Sequence, residues 1–275
     1  MWDKLRYHLG IGLFFLFSSC ITENKQQQGI AASETNASPI QDTLTYHMEV
    51  FKETSPYLSA TEKKLDTTFY AARYPAFSAE IDSLFRDAIF VDGEHTAQQV
   101  SESFLGGFNE YAEEQIESGS HAFHAWFMNQ DCEVVLNVPG FLSLKNTISD
   151  YTGGAHGMEV VLWTNYDIQG KRKLLLTDLV RDMEALRQIA ESRFRKQEKL
   201  SDTSSYGGSY FFDNDAFSLA DNFGLTADGL LFHYNPYEIK SYAEGPTTLV
   251  IPYNALGDIM TEKSKRLLEV MSGEL

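Results

Sequence analysis

The chain has 275 residues, a formal net charge of −17, 43% hydrophobic and 13% aromatic residues, and two cysteines. So acidic a surface repels nucleic acid and anionic headgroups and attracts cationic partners. Two cysteines cannot build a disulfide framework, so stability has to come from a core, which about 230 folded residues can supply.

The first residues, Met1-Trp2-Asp3-Lys4-Leu5-Arg6, are a short basic start, followed by the apolar run Leu9 to Phe17 and then Ser18-Ser19-Cys20. That order reads as an export signal, and the apolar run is about half of the roughly 20 residues a membrane-crossing helix needs. Residues 1–19 are therefore expected to be a lipoprotein signal peptide and Cys20 the site of lipid attachment. The protein is expected to be held to a membrane through that lipid, outside the cytoplasm, in the periplasm or at the cell surface. Cleavage would remove Asp3, Lys4 and Arg6 and leave the remainder one unit more negative, near −18. Residues 20–42, rich in Gln, Ser, Thr, Asn and Ala, offer too little apolar surface to offset ordering and read as a flexible tether.

Leu44 to Phe51 alternates as a strand does, and Thr67 to Phe77 reads as a second strand. Apolar residues at helical spacing predict helices over Ala79 to Phe90 and Gln98 to Ser118. From His121 the period changes to two, which predicts strands over His121 to Met128, Cys132 to Val138, Phe141 to Tyr151 and Met158 to Ile168. Their short connections favour antiparallel pairing. Gln169 to Arg172 turns the chain and Leu174 to Leu176 returns it. Thr177-Asp178 is expected to start a helix with the stripe Met183, Leu186, Ala190 and Phe194. Phe217 to Asn222, Gly229 to Tyr234 and Thr247 to Ile251 are expected strands, and Ile259 to Val270 a closing helix. The fold class is α+β: antiparallel sheets with helices packed on one face, in two small subdomains, 43–150 and 151–275.

Three stretches carry a resemblance: Tyr151-Thr152-Gly153-Gly154-Ala155-His156; Tyr166 to Lys171 with Leu174 to Leu179; and Phe232 to Ile239 with Tyr242 to Gly245 and Val250 to Tyr253. They resemble, in order, the RsiV-like domain, domain of unknown function 3298. The preceding segment is similar to the PdaC-type N-terminal domain, domain of unknown function 4163, which also precedes the catalytic part of a peptidoglycan deacetylase. In anti-sigma members of the RsiV-like family this domain binds lysozyme, a cationic muramidase. Here nothing precedes the apolar run that would serve as a cytoplasmic domain, so an anti-sigma role is not expected. The paired-Asp and His-x-x-x-His metal motifs of the deacetylase do not occur before Leu275, so the accessory module alone is expected.

The residues singled out for ligand binding are Tyr151, Thr152, Gly153, Gly154, His156, Tyr237 and Glu238. Adjacent glycines let a backbone come close to a ligand, and Tyr and His add stacking and hydrogen-bonding groups. No catalytic residue, metal or cofactor is expected: His121 and His124 fall on opposite faces of a strand, Cys132 has no neighbour that would activate it, and Asp213-Asn214-Asp215 lacks the Gly and distal Glu of a calcium loop. The expected function is a non-catalytic envelope module binding a lysozyme-like cationic protein or a glycan such as peptidoglycan. The alternative is a peptidoglycan or glycan hydrolase or esterase using carboxylates such as Glu159, Asp167 or Glu244.

Overall fold

The computed structural model describes residues 43–61, 64–120 and 123–274. Cys20, the apolar run and the expected tether lie outside the described residues, as does His121.

β1 (Tyr46–Thr61) and β2 (Lys64–Phe77) form a long antiparallel hairpin with a bulge between Thr54 and Leu58. A one-turn helix α1 (Arg86–Ile89) and the long helix α2 (Ala97–Glu117) follow. β3 (Phe127–Val138), β4 (Phe141–Tyr151) and β5 (Met158–Asp167) complete an ordered sheet β1-β2-β3-β4-β5, closed by the two-residue β6 (Arg172–Lys173). β2 and β3 run parallel, Phe69 opposite Phe127, because α1 and α2 carry the chain back along the sheet before β3 starts. The other pairings are antiparallel.

The even-numbered residues Tyr70, Ala72, Cys132, Leu142 and Leu144 are buried with Phe85, Ala88, Ile89 and Phe90. Alternation along each strand puts them on one face, under the helices. The helix expected over 79–90 is thereby shortened. Side-chain amides from the sheet take the carbonyls that another helical turn would use: Asn146 Nδ2 donates to Ala88 and Ile89 carbonyls at 2.9 Å, and Gln130 Nε2 donates to Ile89. α2 matches expectation, with the Thr96 hydroxyl capping the Gln99 N–H at 3.2 Å. Phe108, Ala112 and Phe123 extend the core as an aromatic box with Tyr57, Tyr111 and Trp126. The two strands expected at 121–128 and 132–138 are one: Phe123 to Trp126 is irregular, and β3 runs unbroken from Phe127.

After β6, a single turn α3 (Leu176–Leu179) precedes α4 (Met183–Gln197). The helix start expected at Thr177-Asp178 moves to Asp182, whose carboxylate accepts from Ala185 N–H at 2.9 Å. Asp178 is otherwise engaged, bidentate with Arg172 at 2.7 Å for both bonds, and that ion pair holds its carboxyl down at about 2. A second antiparallel sheet follows, β7 (Phe223–Leu225), β8 (Leu230–Tyr234) and β9 (Thr247–Ile251), and α5 (Glu262–Ser272) closes the chain. The strand expected at Phe217 to Asn222 is irregular; Phe217 and Ala220, three apart, are buried beside α4 and the strand begins only at Phe223. α4, α5 and this sheet enclose a second core around Leu186, Phe194, Phe232, Ile251 and Leu267. The architecture is α+β, and the boundary expected at 150/151 falls within the β4–β5 hairpin.

Candidate functional site

β4 ends at Tyr151 and β5 starts at Met158, so the Tyr-Thr-Gly-Gly-Ala-His stretch is the hairpin connection between them. Gly153 and Gly154 have φ of +104° and +93°, backbone that L side chains rarely adopt. The Tyr151 hydroxyl closes the loop by donating to the Gly154 carbonyl at 3.0 Å. Gly157 has a different reason to be glycine: a Cβ there would lie 2.6 Å from the Asp150 carbonyl oxygen.

The loop meets the turn that follows β8. The exposed His156 ring stacks on Tyr242, centroids 3.8 Å apart and planes 16° off parallel. The Tyr242 hydroxyl donates to the Gly157 carbonyl at 2.8 Å, and His156 Nδ1 lies 2.9 Å from the same oxygen. Tyr237 adds its ring 5.6 Å from Tyr242 and stays 51% exposed. Its φ is +70°, a conformation costing a non-glycine residue about 1–2 kcal/mol, so a bulky ring is held where glycine would be easier. Glu238 sits beside it and accepts from Asn235 Nδ2 at 3.2 Å. Thr152 is exposed on the same loop. Of the residues expected to bind, the structure thus joins His156 to Tyr237 and Glu238 through Tyr242, which lies in a stretch carrying the family resemblance but was not among the residues singled out.

Tyr151 leads away from this cluster. Its ring stacks on Phe127 across the β3–β4 pair at 6.2 Å, and Phe127 stacks on Phe69 across β2–β3 at 6.2 Å. Lys52 lies over the far face of that row, its Nζ 4.7 Å from the Phe69 centroid. The row is a cross-strand ladder that fixes the base of the loop.

Three asparagines fix the other partner. β5 pairs with β6 only at Tyr166 and Asp167, leaving the edge before Tyr166 without a backbone partner strand among the described residues. Asn235 Oδ1 accepts from Val161 N–H at 2.7 Å while its Nδ2 donates to the Val161 carbonyl at 3.2 Å. Asn222 accepts from Trp163 N–H at 2.8 Å and donates to Val161 at 2.7 Å. Asn165 reaches the other way, accepting from Leu225 N–H and donating to the Phe223 carbonyl, both at 2.8 Å. Side-chain amides stand in for a strand, and through Asn235 they seat the Tyr237–Glu238 turn against β5. The sequence signal was Asn235 before Pro236 and Asn222 before Phe223-Gly224, types that read equally well as ordinary turn formers.

The carboxylates of the alternative reading are separately engaged. Glu159 accepts from the Ser149 hydroxyl at 2.9 Å. Asp167 pairs with Lys263 and accepts from Gly170 N–H at 2.9 Å; burial raises its pKa, but Lys263 and that N–H outweigh it and leave it lowered. Glu244 accepts from the Ser241 hydroxyl at 2.7 Å. Glu159 and Asp167 lie eight residues apart on β5, about 26 Å at the usual rise of ~3.3 Å per residue. A cavity of ≈ 340 Å³ beside Asp167 is lined also by Phe141, Gln169, Lys263 and Arg266. Among the described residues no group of three or more His, Cys, Asp or Glu is arranged to hold a metal ion. Asp215 clasps the Ser205 hydroxyl and Gly207 N–H at 2.6 Å each, and burial pushes the Cys132 thiol up to about 12.

Residues 61–159 match the family model described as Deacetylase PdaC, and residues 175–254 match that described as Protein of unknown function (DUF3298). A crystal structure of a DUF3298 family member from Bacteroides fragilis is similar at 23% identity and TM-score 0.62, covering 84% of this chain and 99% of that one. Another, from Pseudomonas aeruginosa PAO1, is similar at 21% and 0.58, covering 82% and 98%. No curated protein matches the chain.

Proposed function

We propose that this chain, a PdaC-type region followed by a DUF3298 region, is a non-catalytic recognition module of the cell envelope whose ligand is a basic protein of the lysozyme class. The observation that carries this reading is the Tyr237–Tyr242–His156 cluster with Glu238 beside it. An exposed tyrosine face next to a carboxylate suits a lysine or arginine side chain, which gains from the ring quadrupole and the charge together. The net charge of −17 draws such a partner in and raises its rate of encounter. Keeping Tyr237 at φ +70° supports the same reading, since strain at an exposed position is retained where the side chain has a task. Lipid on Cys20 would hold the module outside the cytoplasm, where basic muramidases act. Among the described residues no helix is long and apolar enough to cross a membrane.

A carboxylate hydrolase is less well supported. Glycoside hydrolysis needs two carboxyl groups within about 5–10 Å, and Glu159 and Asp167 are several times farther apart. The name of the deacetylase family extends to this chain only as kinship of the accessory region.

The test is binding to lysozyme and to purified peptidoglycan at low and physiological salt, with Tyr237→Gly as the variant. The chain should bind lysozyme, lose affinity as salt rises, and lose it again in Tyr237→Gly although that variant melts higher. Salt-independent binding, or binding to peptidoglycan alone, would overturn the proposed ligand.

A further inference from the structure

β1 is the end strand of the first sheet, and its only partner among the described strands is β2. Its register with β2 is unbroken from Tyr46 to Thr54, and the backbone groups on its other side face outward. Natural edges are usually guarded by a lysine, a proline or a bulge. Here Pro56 and the bulge come after Thr54, so they guard only the far end. The one lysine of the segment, Lys52, is drawn inward over the Phe69 ring. Val50, in the middle of the open stretch, is 78% exposed. A long, regular edge with an apolar centre, whose proline and bulge lie only at its far end, is a template for strand addition.

The charges on this segment select its occupant. We propose that the edge of β1 pairs antiparallel with the same edge of a second copy, about a two-fold axis through Val50. In that register Val50 meets Val50, Met48 meets Lys52, Glu49 meets Phe51, and His47 meets Glu53. His47 is well exposed at its present site beside Glu49, 3.5 Å away. Centres at Glu49, Phe51 or Lys52 would instead oppose Glu49 with itself, Glu49 with Glu53, or Lys52 with itself, and like charges directly opposite are destabilising. A centre at Met48 avoids this but engages only Tyr46 to Val50. The Val50 axis uses all of Tyr46 to Thr54 and sets no like charges against each other. Such self-complementarity is what a two-fold interface requires.

The geometry supplies a sharp test. In the full chain carrying Cys20→Ser, with Cys132 buried and out of reach, Val50→Cys places two thiols across the axis. Directly opposed residues have Cα atoms about 4.5–5.5 Å apart, inside the range a disulfide spans. Thr54→Cys, exposed on the same strand, faces Tyr46 of the other copy, and its own counterpart lies about 26 Å away at ~3.3 Å per residue. Mild oxidation should therefore give a covalent dimer of Val50→Cys and leave Thr54→Cys monomeric. Sedimentation of the unmodified chain at physiological salt, where repulsion between two acidic copies is screened, should show a concentration-dependent dimer. Val50→Lys should abolish it with unchanged circular dichroism. A chain monomeric at every concentration, equal cross-linking of the two cysteine variants, or a dimer indifferent to Val50→Lys would each overturn the proposal.

Discussion

Asn165 tests whether side-chain amides really replace a strand along β5. It is 2% exposed and serves three groups at once: Leu225 N–H, the Phe223 carbonyl and the Ser143 hydroxyl, the last at 2.8 Å. Asn165→Ala removes all three bonds and leaves two backbone groups of β7 without partners. Each buried orphan costs about 1–3 kcal/mol, so the loss should be about 4 kcal/mol. That is a large share of the 5–15 kcal/mol typical of a folded chain. Urea unfolding should show a lower midpoint with an unchanged slope, because the surface exposed on unfolding does not change. At roughly 2–4 °C per kcal/mol for a chain of this size, the melting temperature should fall by about 8–16 °C. Ser143→Ala breaks only one of the bonds and should cost about 1 kcal/mol. If Asn165→Ala costs no more than Ser143→Ala, the amides are decoration and β7 is held to β5 by packing alone.

Gly224→Ala would drive a Cβ into the Trp163 ring, 2.6 Å from its Cδ2, and should cost about 1–3 kcal/mol in urea unfolding, whereas Gly224→Ser should be at least as bad. Gly107 is exposed within α2, and a Cβ added there would meet nothing within 4 Å, so Gly107→Ala should raise stability by about 1 kcal/mol in the same assay. His233 is 6% exposed, bonded through Nδ1 to the Thr248 hydroxyl at 2.8 Å, and burial lowers its pKa below the ordinary 6.5. The unfolded chain therefore takes up the proton first, so stability is full above about pH 6.5 and is lost as pH falls toward the lower folded value. His233→Gln should flatten that part of the melting-temperature profile, and an unchanged slope would assign it to other groups.

Period and composition made the strands β4, β5, β8 and β9 and the helices α2 and α5 legible, because their apolar residues recur at strand or helix spacing, whereas β3 was legible only in part, the stretch from Phe123 to Trp126 being irregular. Where they failed, the backbone is held by something other than its own ladder. α1 stops after one turn because Asn146 and Gln130, distant in sequence, take its carbonyls. Phe217 to Asn222 has strand-like composition but spends Asn222 on the β5 edge, and the parallel β2–β3 pairing rests on a helical excursion whose return point no local signal marks. The candidate site was legible in half. The glycines and His156 stand out in sequence, but Tyr242 matters only because it stacks on a loop that is 85 residues away along the chain.

That division bears on how the surface would recognise a partner. His156 rides on the β4–β5 hairpin of the first sheet, while Tyr237 and Tyr242 belong to the turn after β8 of the second. Each half carries only part of the aromatic cluster, so neither alone presents it. What brings them into contact is the set of asparagine bonds on β5 and the shared Gly157 carbonyl, together with Leu136 and Phe141 of the first sheet, buried in the second core. A surface joined by hydrogen bonds and shared packing is ordered before a ligand arrives, and pre-ordering reduces the entropy that binding must overcome. Asn235 is therefore a positioning residue for recognition, and loosening it should weaken binding more than its effect on stability alone would account for.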